Sequence, residues 1–311
     1  MSADDARSTI VLDEGAKSAN AATVHQIRTT LDDAGSVWVR ASGGLSRAQF
    51  RALGHALTGH ALHGTYGDLP RIADDPEIYA STPYPARERI LWHHEAAHTH
   101  QWPHLQLFRC AVAAESGGAT GTADSRRVWA RLPADVAERF SRYGLRYIRN
   151  YRPHLDADWR DVFQVNDRRE LAEVCGRHSI ACDWLPDATL RTSLVTPATA
   201  TVDGRVAFAN QILLHHTSAL PTKVYEAMRG MFGERDAFPR HVQFGDGTEI
   251  PDDLVGAILD LYDEVAVRWR WQSGDVLVLD NRTTAHSRDP YVGSRRIEVA
   301  LGTFHPRPAA R

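Results

Sequence analysis

Proline 103 separates two stretches that cannot share one helix. Before it, ILWHHEAAHTHQW places four histidines and a glutamate in a short run; after it, LQLFRCAVAA has the apolar and aromatic content of a strand. A proline inside a helix removes a backbone donor and clashes with the preceding turn, so the chain must change direction or conformation here. The cluster can be read in two registers. His94-Glu95-Ala96-Ala97-His98 is a literal H-E-x-x-H match, which on a helix holds zinc and supplies a general base for hydrolysis. His93-x-Glu95 instead puts two donors on one side of an extended segment, and a distant histidine must then complete a triad suited to non-haem ferrous iron. The break at Pro103 favours the extended register.

The rest of the chain reads as mainly β with flanking helices. TVHQIRTTLDDAGSVWVRA predicts a helix then a short strand, and SRAQFRALGHAL a second helix capped by Ser46. ADVAERFSRYG predicts a helix ending near Gly144, and TATVDGRVAFANQ a hairpin turning at Asp203-Gly204. Near the C-terminus a helix, DDLVGAILDLYDEV, runs towards two strands, DVLVLDN and RRIEVALGTF, which flank a loop holding His286. Early helices followed by strands through the remainder imply a β-sandwich or barrel with helices packed outside. Residues 1–20 are expected to be a flexible leader and 21–311 a single elaborated domain; residues 65–89, rich in Pro, Gly, Asp and Tyr, are expected to form a long irregular loop near the site, with Tyr66, Asp68 and Arg87 as candidate substrate contacts.

Several function classes are disfavoured. A net charge of -3 and the lack of a basic run with interleaved aromatics argue against nucleic-acid binding. No apolar stretch reaches membrane-spanning length, and the acidic N-terminus is unlike a signal peptide, so a cytoplasmic protein is expected. Cys110, Cys175 and Cys182 are an odd set without CxxC spacing, which supports neither a disulfide framework nor a cysteine-zinc site.

His286, set between two strands, has the rigid setting that a third metal ligand requires. Arg295 and Arg296 follow on the next strand, and a guanidinium there can hold a carboxylate in two-point contact. Taken together, the ordered motifs resemble the iron(II)- and 2-oxoglutarate-dependent dioxygenases of the TauD/TfdA type, nearest the branch of the syringomycin-pathway hydroxylase and clavaminate synthase. The resemblance rests on His93-His94-Glu95 with Pro103 and Phe108-Arg109-Cys110; on Gly117-Gly118-Ala119-Thr120 with Thr122-Ala123-Asp124; on Phe208-Ala209-Asn210-Gln211, Phe244-Gly245-Asp246-Gly247 and Asp280-Asn281; and on His286-Ser287-Arg288-Asp289-Pro290-Tyr291. It covers residues 92–302.

That resemblance implies a double-stranded β-helix (jelly-roll) core, with iron(II) held by His93, Glu95 and His286. It also implies 2-oxoglutarate contacts from Thr120 and from Arg296, the residue directly before Ile297, with Arg295 as the alternative. The implied chemistry uses O2, converts 2-oxoglutarate to succinate and hydroxylates an unactivated carbon; desaturation or cyclisation are the other outcomes. The substrate expected is amino-acid-derived, a small molecule or one tethered to a carrier protein, in specialised-metabolite biosynthesis. Ala300, four positions after Arg296, stands where the taurine enzyme has its substrate arginine, which argues against a sulfonate.

Overall fold

The computed structural model describes residues 8–12, 19–62, 71–72, 75–153, 155 and 157–307. A seven-stranded sheet forms its largest layer, in the order Thr9–Leu12, Ser36–Ala41, Val276–Asp280, Leu105–Val112, Arg296–Leu301, Asp75–Ala80, Arg71–Ile72. A four-stranded sheet, Ala266–Trp269, Thr120–Asp124, Thr284–Arg288, Ile90–His93, supplies the second layer of the jelly roll. Apart from the parallel pairing of Thr9–Leu12 with Ser36–Ala41, every ladder in these two sheets is antiparallel.

Strand alternation divides the large sheet into two faces. Val276, Val278, Leu107 and Ala300 point outward into a cluster with Ile27 and Leu31 of helix Ala21–Ala34 and Phe50 and Leu53 of helix Arg47–Thr58. Leu277, Leu279, Phe108, Ile297 and Val299 point inward with Trp38. Asn20 Oδ1 accepts from Thr23 N–H at the start of the first helix, and Ser46 caps the second as its sequence predicts, forming a capping box with Gln49. A second four-stranded sheet, Ala181–Trp184, Leu190–Thr196, Leu145–Tyr151, Arg240–Phe244, is inserted between residues 124 and 266. The hairpin at Asp203-Gly204 forms, both residues having positive φ (49° and 74°), as a tight two-residue turn requires.

Two expectations are corrected. Residues 9–12 are not a flexible leader: TIVL is an edge strand whose Ile10 and Leu12 bury against the helix-covered face, which offsets the entropy of ordering it. Residues 65–89 are not wholly irregular either, since Asp75–Ala80 pairs with Arg296–Leu301. Tyr66 and Asp68 lie outside the described residues, and Arg87 is exposed. Among the described residues, no helix is long and apolar enough to cross a membrane.

Candidate metal centre

His93 is the last residue of its strand and sits directly opposite His286 in the antiparallel ladder. Their rings lie 4.0 Å apart, and a donor atom from each lies within 4.8 Å of the other and of a Glu95 carboxylate oxygen. Glu95 reaches this position because the chain turns immediately after it. Ala96 has a left-handed backbone (φ 56°), a conformation that costs a non-glycine residue about 1–3 kcal/mol and is tolerated where the surroundings enforce it. Asn281 enforces it here: its Oδ1 accepts from Glu95 N–H at 2.7 Å, and its Nδ2 donates to Glu95 O and Pro103 O at 2.9 and 2.8 Å.

The same turn removes the H-E-x-x-H alternative. Residues 94–98 form no helix, and His94 is fully buried on the other side of the chain, between Ser125 Oγ (3.0 Å) and the Asn210 backbone. His98 packs instead against His215 and Tyr147, so His94 and His98 do not converge as a zinc pair.

The donor set suits a metal chemically. His93 Nδ1 faces the Leu91 carbonyl at 2.8 Å; a carbonyl only accepts, so Nδ1 carries the proton and Nε2 keeps its lone pair. Burial pushes His93 down to about 4 and holds His286 well below the usual imidazole range, leaving two neutral imidazoles beside a carboxylate at neutral pH. The Nδ1 of His286 is buried without a hydrogen-bond partner. Gln106 Nε2 donates to Glu95 Oε2 at 3.2 Å and fixes the carboxylate, while Phe108 packs 5.2 Å from the His286 ring. Gln106 was not singled out from sequence, although it shares strand parity with Phe108 and Cys110.

The cavity over these donors is also lined by Thr120, Arg288, Arg295, Ile297 and Val299. Here the sequence expectation for Arg296 is corrected. Arg296 is exposed, whereas Arg295 shares the inward parity of Ile297 and Val299 and enters the cavity. Its Nε donates to Gly118 O at 3.1 Å and Nη2 lies 3.4 Å from Thr120 Oγ1. Gly117 and Gly118, both at positive φ, permit this approach: a Cβ on Gly118 would stand 3.1 Å from Arg295 Cδ. Among the described residues Arg295 has no carboxylate partner, and burial followed by the neighbouring Arg288 lowers it to about 10. A half-buried cation without a counter-ion is suited to receive an anion. Thr120 Oγ1 already accepts from Trp271 Nε1 at 2.9 Å, so its hydroxyl proton is directed elsewhere and can serve the same anion. Arg288 is committed differently, donating to the carbonyls of Tyr84, Pro85 and Glu88 and so pinning the segment that walls the cavity.

Two imidazoles and a carboxylate on a jelly roll, with a half-buried arginine and a hydroxyl donor in the same cavity, define an iron(II)- and 2-oxoglutarate-dependent dioxygenase. Comparison with known proteins agrees. The chain belongs to the Taurine catabolism dioxygenase TauD, TfdA family, whose profile matches residues 3–301. It is 33% identical over 279 residues to the dapdiamide synthesis protein DdaC of Enterobacter agglomerans, covering 89% of this chain and 84% of that one. With a clavaminate synthase-like protein of Arabidopsis thaliana it shares 25% identity over 289 residues, again 89% and 84% of the two chains. Among solved structures, a putative alpha-ketoglutarate-dependent taurine dioxygenase from Burkholderia xenovorans superimposes with a TM-score of 0.57 at 17% identity, over 96% of this chain and 91% of that one, which shows the shared fold.

Proposed function

We propose that this dioxygenase hydroxylates an unactivated carbon of an amino-acid-derived substrate, free or tethered to a carrier protein, in specialised-metabolite biosynthesis. His93, Glu95 and His286 hold iron(II), and Arg295 with Thr120 binds the distal carboxylate of 2-oxoglutarate. When bound, the iron supplies O2 activation coupled to decarboxylation of 2-oxoglutarate to succinate. The protein side chains position and enclose. Leu91 O and Gln106 orient two of the donors, Asn281 fixes the turn that presents Glu95, and Ile297 and Val299 keep the cavity wall apolar.

The observation that carries the reading is Arg295, a half-buried guanidinium without a carboxylate partner among the described residues, in the same cavity as the three donors. The substrate class is supported by the 33% relative named for dapdiamide synthesis. A sulfonate substrate is disfavoured on the corrected register too: the residue four after Arg295 is Val299, an apolar residue on the cavity wall.

Anaerobic titration of metal-free protein with ferrous iron and then 2-oxoglutarate tests the assignment. A weak visible charge-transfer band that is absent in His93→Ala and His286→Ala but retained in His98→Ala is the expected result. A band retained in His286→Ala would overturn the ligand set. Mass spectrometry of candidate amino-acid substrates then distinguishes hydroxylation, a gain of one oxygen, from desaturation, a loss of two hydrogens.

A further inference from the structure

A second cluster of metal-ligating side chains lies outside the site just described. His216 follows the short helix Ile212–His215, His241 lies in strand Arg240–Phe244, and Glu249 follows the turn that ends that strand. One donor atom from each lies within 4.8 Å of the other two. The consecutive residues His215 and His216 serve different surroundings: the His215 ring meets His98 and Tyr147, whereas that of His216 meets His241, at 5.1 Å. This cluster is therefore separate from the donors that surround His286.

We propose that His216, His241 and Glu249 form a second divalent-cation site whose preferred ion is zinc. Two imidazoles and one carboxylate are a borderline-soft donor set that zinc accepts in tetrahedral geometry, with water in the fourth position. Both histidines are buried, at 1% and 0% exposure, yet His216 Nε2 and His241 Nδ1 have no hydrogen-bond partner. Leaving the buried His216 Nε2 unpaired is costly, and a site that uses this atom when loaded accounts for it, with His241 ligating through Nε2.

The supporting contacts are already in place. His216 Nδ1 accepts from Ser218 N–H at 3.3 Å and lies 2.7 Å from Ser218 Oγ; in the tautomer protonated at Nδ1 that hydroxyl accepts instead, which leaves Nε2 to the metal. Glu249 Oε2 lies 3.0 Å from His241 Nε2, a separation compatible with two ligands of one ion, and Gln243 Nε2 donates to the other carboxylate oxygen, Oε1, at 2.5 Å. Glu249 is 48% exposed and gives the ion an entry path. The nearby positive charge of Arg235 is matched by Asp252 in a two-point ion pair at 2.5 and 2.6 Å. A bound ion would tie the segment after helix Ile212–His215 to the turn at residues 245–248, two regions far apart in sequence.

Metal counting tests this independently of the dioxygenase reading. Chelator-stripped full-length protein is equilibrated with zinc at pH 7.5 and bound metal is measured by elemental mass spectrometry. Wild type is expected to bind two equivalents, and His93→Ala/His286→Ala one. Glu249→Gln, a conservative change at a half-exposed position, is expected to lose one equivalent, its second-site affinity falling at least tenfold. In the His93→Ala/His286→Ala background, zinc should raise the melting temperature, and adding Glu249→Gln should abolish that rise. No zinc bound by His93→Ala/His286→Ala, or zinc still bound once Glu249→Gln is added to that background, overturns the proposal whatever the outcome of the iron titration.

Discussion

Arg295→Gln, set against Arg296→Gln, decides which guanidinium receives the cosubstrate. Arg295 is largely enclosed, donates to Gly118 O, approaches Thr120 Oγ1 and has no carboxylate partner among the described residues. Removing one partner of a buried, hydrogen-bonded charge pair costs about 2–5 kcal/mol. At about 1.4 kcal/mol per tenfold, Arg295→Gln should weaken 2-oxoglutarate binding by roughly 30- to 4,000-fold. Arg296 is exposed, and a surface substitution is worth within about 0.5 kcal/mol, so Arg296→Gln should shift binding by about twofold or less. The sign reverses in the ligand-free protein. There the half-buried guanidinium has no carboxylate partner among the described residues, so Arg295→Gln should leave the melting temperature unchanged or raise it. The assay is anaerobic titration of the ferrous protein with 2-oxoglutarate, read by the charge-transfer band, beside thermal melts of the metal-free forms. Equal weakening by the two substitutions, or none by Arg295→Gln, would refute the parity argument.

Other outcomes follow from the same contacts. Gln106→Leu removes the donor to Glu95 Oε2 and should lower ferrous-iron affinity about 10- to 100-fold with little change in fold, measured by competition with a chelating dye. Thr120→Val deletes one hydroxyl donor and should weaken 2-oxoglutarate binding by about 2- to 10-fold, the equivalent of about 0.5–1.5 kcal/mol, in the same titration. For the metal-free protein, burial holds His94 at about 3 and His104 at about 4, below the unfolded value of about 6.5. Between these values the unfolded chain binds more protons, so stability is full above about pH 6.5 and falls as the pH drops towards 4; urea midpoints at pH 7.5 and 5.0 should differ accordingly, and equal midpoints would contradict it.

Much of the site was legible because His93 ends a strand and Glu95 follows in the turn; the loop expected to hold His286 is instead the strand Thr284–Arg288, whose ladder with Ile90–His93 sets the two imidazoles opposite each other. His93 and Glu95 are two apart before a break at Pro103, and His286 lies between two strongly apolar strands. Arg295 was harder to place. In RRIEVAL one parity is Arg295, Ile297 and Val299, the other Arg296, Glu298 and Ala300, and slipping by one residue exchanges the faces. Because helices cover the outer face, Ala300 is as buried as Val299, which blurs the alternation; Glu298, bound outside by Arg47 and Arg109, was the usable signal. Strand Thr9–Leu12 was hidden by its length, four residues flanked by polar sequence. His216, His241 and Glu249 belong to segments with no common pattern, and only the tertiary fold brings them together.

The order of strands in the large sheet has a consequence for how the protein is made. Val276–Asp280 lies between Ser36–Ala41 and Leu105–Val112, and Arg296–Leu301 lies between Leu105–Val112 and Asp75–Ala80. A nascent chain that has emerged only to residue 270 therefore has a central sheet with gaps in it, exposing unpaired strand edges that invite association with other chains. The closing contacts are among the most distant in sequence, the condition under which folding is slow. His286 and Arg295 arrive in this last segment, so of the proposed iron ligands a chain emerged to residue 270 carries only His93 and Glu95, and that set is complete only after the final strands have inserted.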